Sequence, residues 1–266
     1  MNRIIQRFAD LRSKQRKGVV VYIGAGDPNL AATHQLALAF DRVGVDVLEL
    51  GVPFSDPLAD GLVNQLAAQR GLASGTSPRG VLDAVKGIRR ESSIPIVLYI
   101  YFNLVHRYGL EAFIHDASAA GVDGLLVLDL PPEESETYEQ LAGRAGLCAI
   151  YLIAPTTPDD RLAMIAKRGS GFLYYVSREG VTGMQATVAS NLPAMVAKIR
   201  HATNLPVAVG FGISNPSQAL LVAQHADAVV IGSAVVNQIA EAGAQAGLVE
   251  RVANFVQSLV VALKPI

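Results

Sequence analysis

DVLELGVPFSDPLADG, Asp46 to Gly61, begins as a short apolar run and breaks at glycine and proline into a loop carrying Asp56 and Asp60. A run of that length, bounded by turn residues, reads as a buried parallel strand covered on both faces. Glu49 is the anomaly within it. An isolated ionised carboxylate in apolar surroundings is costly, so it protonates, finds a partner or is there for chemistry.

Similar runs recur on either side: VVVYI from Val19, PIVLYI from Pro95, GLLVLDL from Gly124, AIYLI from Ala149, FLYYV from Phe172, PVAVGF from Pro206 and AVVIGS from Ala228. Between them lie helical patterns such as TSPRGVLDAVKGIRR, EESETYEQLAGRAG and NPSQALLVAQHA, the last with Asn215 as N-cap and Pro216 at the first helical position. Eight strands alternating with helices in 266 residues point to a (β/α)8 TIM barrel. An open, doubly wound sheet is the competing reading. Against it, the first run ends in YIGAGDP and lacks the G-x-G-x-x-G turn of a dinucleotide site.

No linker or composition break interrupts the chain, so residues 1–266 read as a single barrel domain. An extra amphipathic helix (Ile4, Ile5, Phe8, Leu11) precedes the first strand. The connection from Pro53 to Ser93, after strand two, is long enough for an added helical segment. Gly180 to Asn191, after strand six, reads as an extended, helix-poor loop of the lid type.

Half the residues are apolar (51%) and 17% are charged, which excludes disorder. The net charge of −1 provides no basic field for nucleic acid or anionic lipid. Cys148 is the only cysteine, so no intrachain disulfide forms, as in a reducing compartment. The N-terminus lacks a secretory pattern, a transit peptide being the weaker alternative. No apolar run approaches the ~20 residues of a membrane span. A cytoplasmic protein is expected.

Active sites of such barrels gather at the C-terminal ends of the strands. Glu49 is near the end of strand two, on the same side as Val47 and Gly51, and Asp60 follows in the loop. Two readings of Glu49 stay open: a paired carboxylate pinning the loop, or a proton donor and acceptor whose pKa burial has raised. Asp56 and Asp60 alone would be ordinary turn residues. GFGIS (Gly210–Ser214) and GSA (Gly232–Ala234) follow strands seven and eight, the frequent phosphate site of this fold, and Ser233 can open a helix whose N-terminus favours an anion. Plain turn chemistry is the alternative for each glycine pair. His34, His106, His115, His201 and His225 show no metal-ligand spacing, and no G-x-S-x-G elbow is present. No metal site is expected.

LELGVPFSDPLADG resembles the signature of tryptophan synthase α subunits at every position. GAGDP, YFNLVHRYG, GLLVLDLPPEE, APTTP, REGVTG, AVGFGIS and IGSAVV extend the resemblance over nearly the whole chain. It implies a carbon–carbon lyase of tryptophan biosynthesis, cleaving indole-3-glycerol phosphate to indole and D-glyceraldehyde 3-phosphate. Glu49 would be the acid–base residue and Asp60 the partner of the indole N–H. Tyr22, Tyr99, Tyr101, Leu126, Ile153 and Tyr174 would line the pocket, and Thr182 would close over it. Gly183, Gly212, Gly232 and Ser233 would hold the phosphate, while Pro53 and Asp56 would face a β subunit in an α2β2 heterotetramer. No cofactor is implied for this chain; pyridoxal phosphate would belong to the β subunit. The chain departs from the family at Gly24, where threonine is usual, and at Glu179, where a small or apolar residue is common. A catalytically weak subunit that activates its β partner and a stand-alone indole-3-glycerol phosphate lyase are the rival readings.

Overall fold

The computed structural model describes residues 1–176, 185–210 and 212–264, and the backbone alone over 185–190. In chain order the elements begin with α1 (Arg3–Ser13), β1 (Gly18–Gly24), α2 (Leu30–Arg42), β2 (Val47–Gly51), α3 (Leu62–Ala73), α4 (Pro78–Arg89) and β3 (Ile96–Ile100). Next come α5 (Phe102–Tyr108), α6 (Leu110–Ala120), β4 (Gly124–Val127), α7 (Glu136–Arg144), β5 (Cys148–Ile153), α8 (Asp159–Arg168) and β6 (Leu173–Val176). The chain closes with α9 (Gln185–Ala202), β7 (Val207–Gly210), α10 (Pro216–Ala223), β8 (Ala228–Ile231), α11 (Ser233–Ala242) and α12 (Leu248–Leu263). The eight strands form a closed parallel barrel in sequence order, β1 pairing with β8.

Side-chain alternation sorts each strand into two layers. Val19, Val21, Leu48, Leu50, Leu98 and Leu125 pack outward in one core with the helices. Val20, Val47, Val97, Leu126, Ile150, Ala208 and Val230 fill the interior. The parity that puts Val47 inside also puts Glu49 inside.

The first helix plugs the N-terminal end of the barrel. Ile4, Phe8 and Leu11 join the interior cluster, and the Phe8 and Phe172 rings lie 5.4 Å apart. Ile5, grouped with them by periodicity, is instead largely exposed, since only one face of α1 meets the barrel. Three aspartates rim this end with one repeated device. Asp46, Asp123 and Asp227 each precede an even-numbered strand, and each carboxylate accepts the N–H of a residue on the preceding strand: Val19 at 2.7 Å, Ile96 at 2.8 Å and Val207 at 2.9 Å. Ser170 does the same before β6, accepting the N–H of Ala149 at 2.8 Å. Arg7 and Arg3 of α1 pair with Asp46 and Asp123. With its lower end sealed, the barrel can receive a ligand only from above.

The long second connection holds both α3 and α4, so the extra helical segment is α3. Asn215 caps α10 as the sequence indicates, its side chain accepting the N–H of Gln218 at 3.0 Å. Two expectations need correction. The GLLVLDL strand ends at Val127, and residues 185–191 belong to α9 rather than to a helix-poor loop. Residues of ordinary helix propensity there simply continue into the apolar face of α9, where Leu192, Val196 and Ile199 are buried. No helix among the described residues is long and apolar enough to cross a membrane.

Candidate active site

Glu49 lies level with Tyr22 of β1 and Val97 of β3 in the barrel register. It is 1% exposed, and its Oε1 has no hydrogen-bond partner among the described residues. Desolvation in this position, with the charge of Asp60 second, pushes its pKa up to about 8. At neutral pH Glu49 therefore keeps its proton. No cation among the described residues pairs with Glu49.

Asp60 ends the strand-two loop beside Glu49, 9% exposed. Its backbone N–H is held by Pro57 O at 3.0 Å and its carbonyl accepts Gln65 Nε2 at 2.9 Å. The Tyr99 hydroxyl donates to Oδ1 at 2.7 Å and the Tyr101 hydroxyl to Oδ2 at 2.8 Å. The Tyr101 hydroxyl in turn accepts the N–H of Ala59 at 2.9 Å, and its ring packs on Phe54 with centroids 5.1 Å apart. Two phenols thus donate to Asp60, whereas Glu49 Oε1 has no donor among the described residues. The two acids therefore stand in different surroundings, one held by phenols and one buried without a donor on Oε1.

Tyr22 and Tyr99 meet edge to face, ring centroids 5.1 Å apart, in the interior above the apolar plug. Burial first, then the Asp60 and Glu49 charges, raises the Tyr22 pKa, so it remains a neutral phenol. Two strand-end glycines make room for tyrosine hydroxyls. A Cβ at Gly51 would stand 2.3 Å from the Tyr22 hydroxyl, and one at Gly210 would stand 2.6 Å from that of Tyr174. The cavity reached from Asp60 is lined by Tyr22, Gly24, Pro53, Phe54, Tyr99 and Tyr101.

Of the other expected pocket residues, Leu126 and Tyr174 belong to the interior cluster. Ile153 does not. It packs into the outer core against the helices, and alternation gives the interior place on β5 to Leu152. Gly212, in a left-handed conformation (φ +62°), and Gly232 follow the adjacent strands β7 and β8. Ser233 opens α11, whose N-terminus carries no side-chain cap and stands exposed. Tyr22 underlies Gly232, its Cβ 3.6 Å from where a Cβ would stand, which joins this anion-ready end to the carboxylate pocket. Thr182, Gly183 and Glu179 lie outside the described residues.

The two residues read as a partner-facing pair separate. Asp56 is exposed, whereas Pro53 is buried against Gly71 of α3 and offers no surface, because the loop turns inward there. Gly24 borders the cavity, where an added Cβ would come 3.2 Å from the Ala67 Cβ, so α3 occupies the space a threonine needs. Sequence reading missed Asn64, whose Nδ2 stands 3.5 Å from Asp60 Oδ1 and whose own Oδ1 is buried without a partner among the described residues. Its signal was the spacing: Asn64 follows Asp60 by one helical turn at the start of α3. Leu58 and Leu62, 92% and 70% exposed on the same rim, were also missed.

Residues 8–264 match the family model described as tryptophan synthase alpha chain. Tryptophan synthase alpha chain of Opitutus terrae is 53% identical over 241 residues, 91% of each chain. That of Geobacter sp. (strain M21) is 49% identical over 97% of each. The crystal structure of tryptophan synthase subunit alpha from Legionella pneumophila superposes with a TM-score of 0.90 at 37% identity, covering 100% of both chains.

Proposed function

The chain belongs to the tryptophan synthase alpha chain family, and from that premise we propose that it cleaves indole-3-glycerol phosphate to indole and D-glyceraldehyde 3-phosphate. The observation that carries the reading is the division of labour between two neighbouring carboxylates at the C-terminal end of the barrel. Indole leaves only after its C3 is protonated, which places positive charge on the ring nitrogen. Glu49, its pKa raised and its Oε1 without a partner among the described residues, supplies that proton. Asp60, a phenol-ordered anion beside it, stabilises the ring N–H as the charge grows. The Glu49 carboxylate left behind takes the proton of the side-chain hydroxyl as the C–C bond breaks, and protons balance over the cycle.

The phosphate rests on Gly183, Gly212, Gly232 and the N-terminal N–H groups of α11 at Ser233. Thr182 closes the pocket over Asp60. The chemistry needs no cofactor in this chain. Indole passes to a β subunit carrying pyridoxal phosphate in a cytoplasmic α2β2 heterotetramer, which engages the exposed rim of Asp56, Leu58 and Leu62.

Indole release by the purified chain, measured with and without β subunit, tests the reading. Glu49→Gln is expected to lower it about 1,000-fold while substrate still binds. Wild-type turnover by that variant would overturn the assignment. Substantial turnover that ignores the β subunit would make the chain a solitary lyase.

A further inference from the structure

We propose that Tyr99 is a displaceable cap on Asp60: its hydroxyl occupies Oδ1 in the empty site, yields that oxygen to the ring N–H of the substrate, and is received by the orphaned carboxamide oxygen of Asn64. This rests on the function proposed above and specifies how its ring N–H is recognised.

Asp60 is 9% exposed and both its oxygens already accept phenol hydrogen bonds, at 2.7 and 2.8 Å. Each oxygen keeps a second lone pair, but in so enclosed a site an incoming N–H gains the best-placed oxygen by displacing one donor rather than by crowding in beside it. Tyr101 is the poorer candidate. Its hydroxyl is fixed from a second side by the Ala59 N–H at 2.9 Å, and its ring is packed on Phe54, so moving it would undo the loop that presents Asp60. The Tyr99 hydroxyl makes its one hydrogen bond, among the described residues, to Oδ1. Oδ1 is then the oxygen given to the substrate.

The displaced phenol needs somewhere to go, since a buried unpaired hydroxyl is costly. Only two buried side-chain polar atoms among the described residues lack a partner: Glu49 Oε1, which the chemistry uses, and Asn64 Oδ1, which it does not. The Asn64 amide nitrogen approaches the same Asp60 oxygen at 3.5 Å, too long for a strong bond, so the carboxamide sits at the point where Tyr99 and Asp60 meet. Handing the phenol O–H from Asp60 to Asn64 keeps the number of hydrogen bonds constant and satisfies the orphan. Tyr99 and Asn64 are thus positioning residues that set how readily Asp60 accepts the ring.

Calorimetric titration of the full chain with an uncleavable indolylpropyl phosphate, and with its benzofuran counterpart lacking the N–H, tests this. Tyr99→Phe keeps the ring against Tyr22 and should remain folded. It is expected to bind the indole ligand about fivefold tighter and the benzofuran ligand unchanged. Asn64→Leu is expected to weaken the indole ligand about fivefold in the wild-type background and to have no effect once Tyr99 is phenylalanine. Equal gains for both ligands would reduce Tyr99 to a wall of the pocket. Weaker indole binding by Tyr99→Phe would mean that phenol and N–H share the oxygen, and additive effects would remove Asn64. Each of these overturns the proposal. If the wild-type chain with its β subunit releases no indole from indole-3-glycerol phosphate, the functional reading itself falls, whereas normal turnover with no tightening by Tyr99→Phe removes only the cap.

Discussion

The two ends of the barrel use the same residue type in opposite ways. At the N-terminal end, Asp123 is 2% exposed yet fully engaged: Arg3 at 2.8 Å, Arg89 at 2.7 Å and the Ile96 N–H at 2.8 Å share its oxygens. Asp46 has Arg7 and Lys264, and Asp227 has Arg200. At the C-terminal end Glu49 is equally buried and has no cation beside it among the described residues, while Asp60 is held by neutral phenols. A paired buried carboxylate contributes structure; an unpaired one holds a proton in reserve. Burial alone does not distinguish a stabilising acid from a reactive one. Its partners do.

The hardest way to break the lower end is Asp123→Ala. It leaves the Arg89 guanidinium, 11% exposed and already pushed down to about 10 by burial, without its carboxylate, and orphans the Ile96 N–H. Removing one partner of a buried pair costs about 3–5 kcal/mol. Denaturant unfolding should show a loss in that range, with the indole-releasing activity of the molecules still folded unchanged. A loss below about 1 kcal/mol would mean that these clamps are ornamental.

At the upper end the effect is of similar size but depends on pH. The Glu49 pKa lies near 8 in the folded chain against an ordinary value of 4.5, so the folded state holds a proton that the unfolded state has released. This contribution is full below about 4.5 and is lost as pH rises towards and through 8. A glutamine never ionises. Glu49→Gln should therefore match the wild-type stability near pH 4.5 and exceed it increasingly up to about pH 8, by an amount on the order of 3–5 kcal/mol, read as a widening gap in melting temperature. A constant gap across pH would show that Glu49 is already ionised when folded.

The upper end was the more legible of the two in the sequence. Apolar runs bounded by turn residues gave all eight strands, because a buried parallel strand leaves a continuous apolar trace. Glu49 declared itself by breaking such a trace, whereas Asp60 alone reads as a turn residue and stands out only through the family resemblance. Ile153 came from the family resemblance alone; here it packs in the outer core and Leu152 takes the interior place, a distinction that a strand buried on both faces does not mark in sequence. Asn64 was hidden because a polar residue early in a helix looks solvated until the fold turns it towards Asp60. The lower clamps were written in plain view: Gly44-Val45-Asp46 and Gly121-Val122-Asp123 repeat a left-handed glycine (φ +90° and +93°) two residues before the clamping aspartate. A search for internal repeats would have found them.

Ser170 offers the finest test of that repeat. It fills, before β6, the place that Asp46, Asp123 and Asp227 fill before β2, β4 and β8. The backbone exchange is the same at all four strands, since Ser170 also donates its own N–H to Ala149 O at 2.9 Å, as Asp46 does to Val19 O at 2.9 Å. What serine lacks is charge. Ser170→Ala should cost only about 1 kcal/mol, the loss of one neutral hydrogen bond at a strand start, read as a fall of about 2–4 °C in melting temperature. Ser170→Asp restores an acceptor for the Ala149 N–H and should recover part of that loss. If alanine and aspartate are equally damaging, hydrogen bonding to the preceding strand is not what the position supplies, and the four-fold correspondence between the strands is one of shape alone.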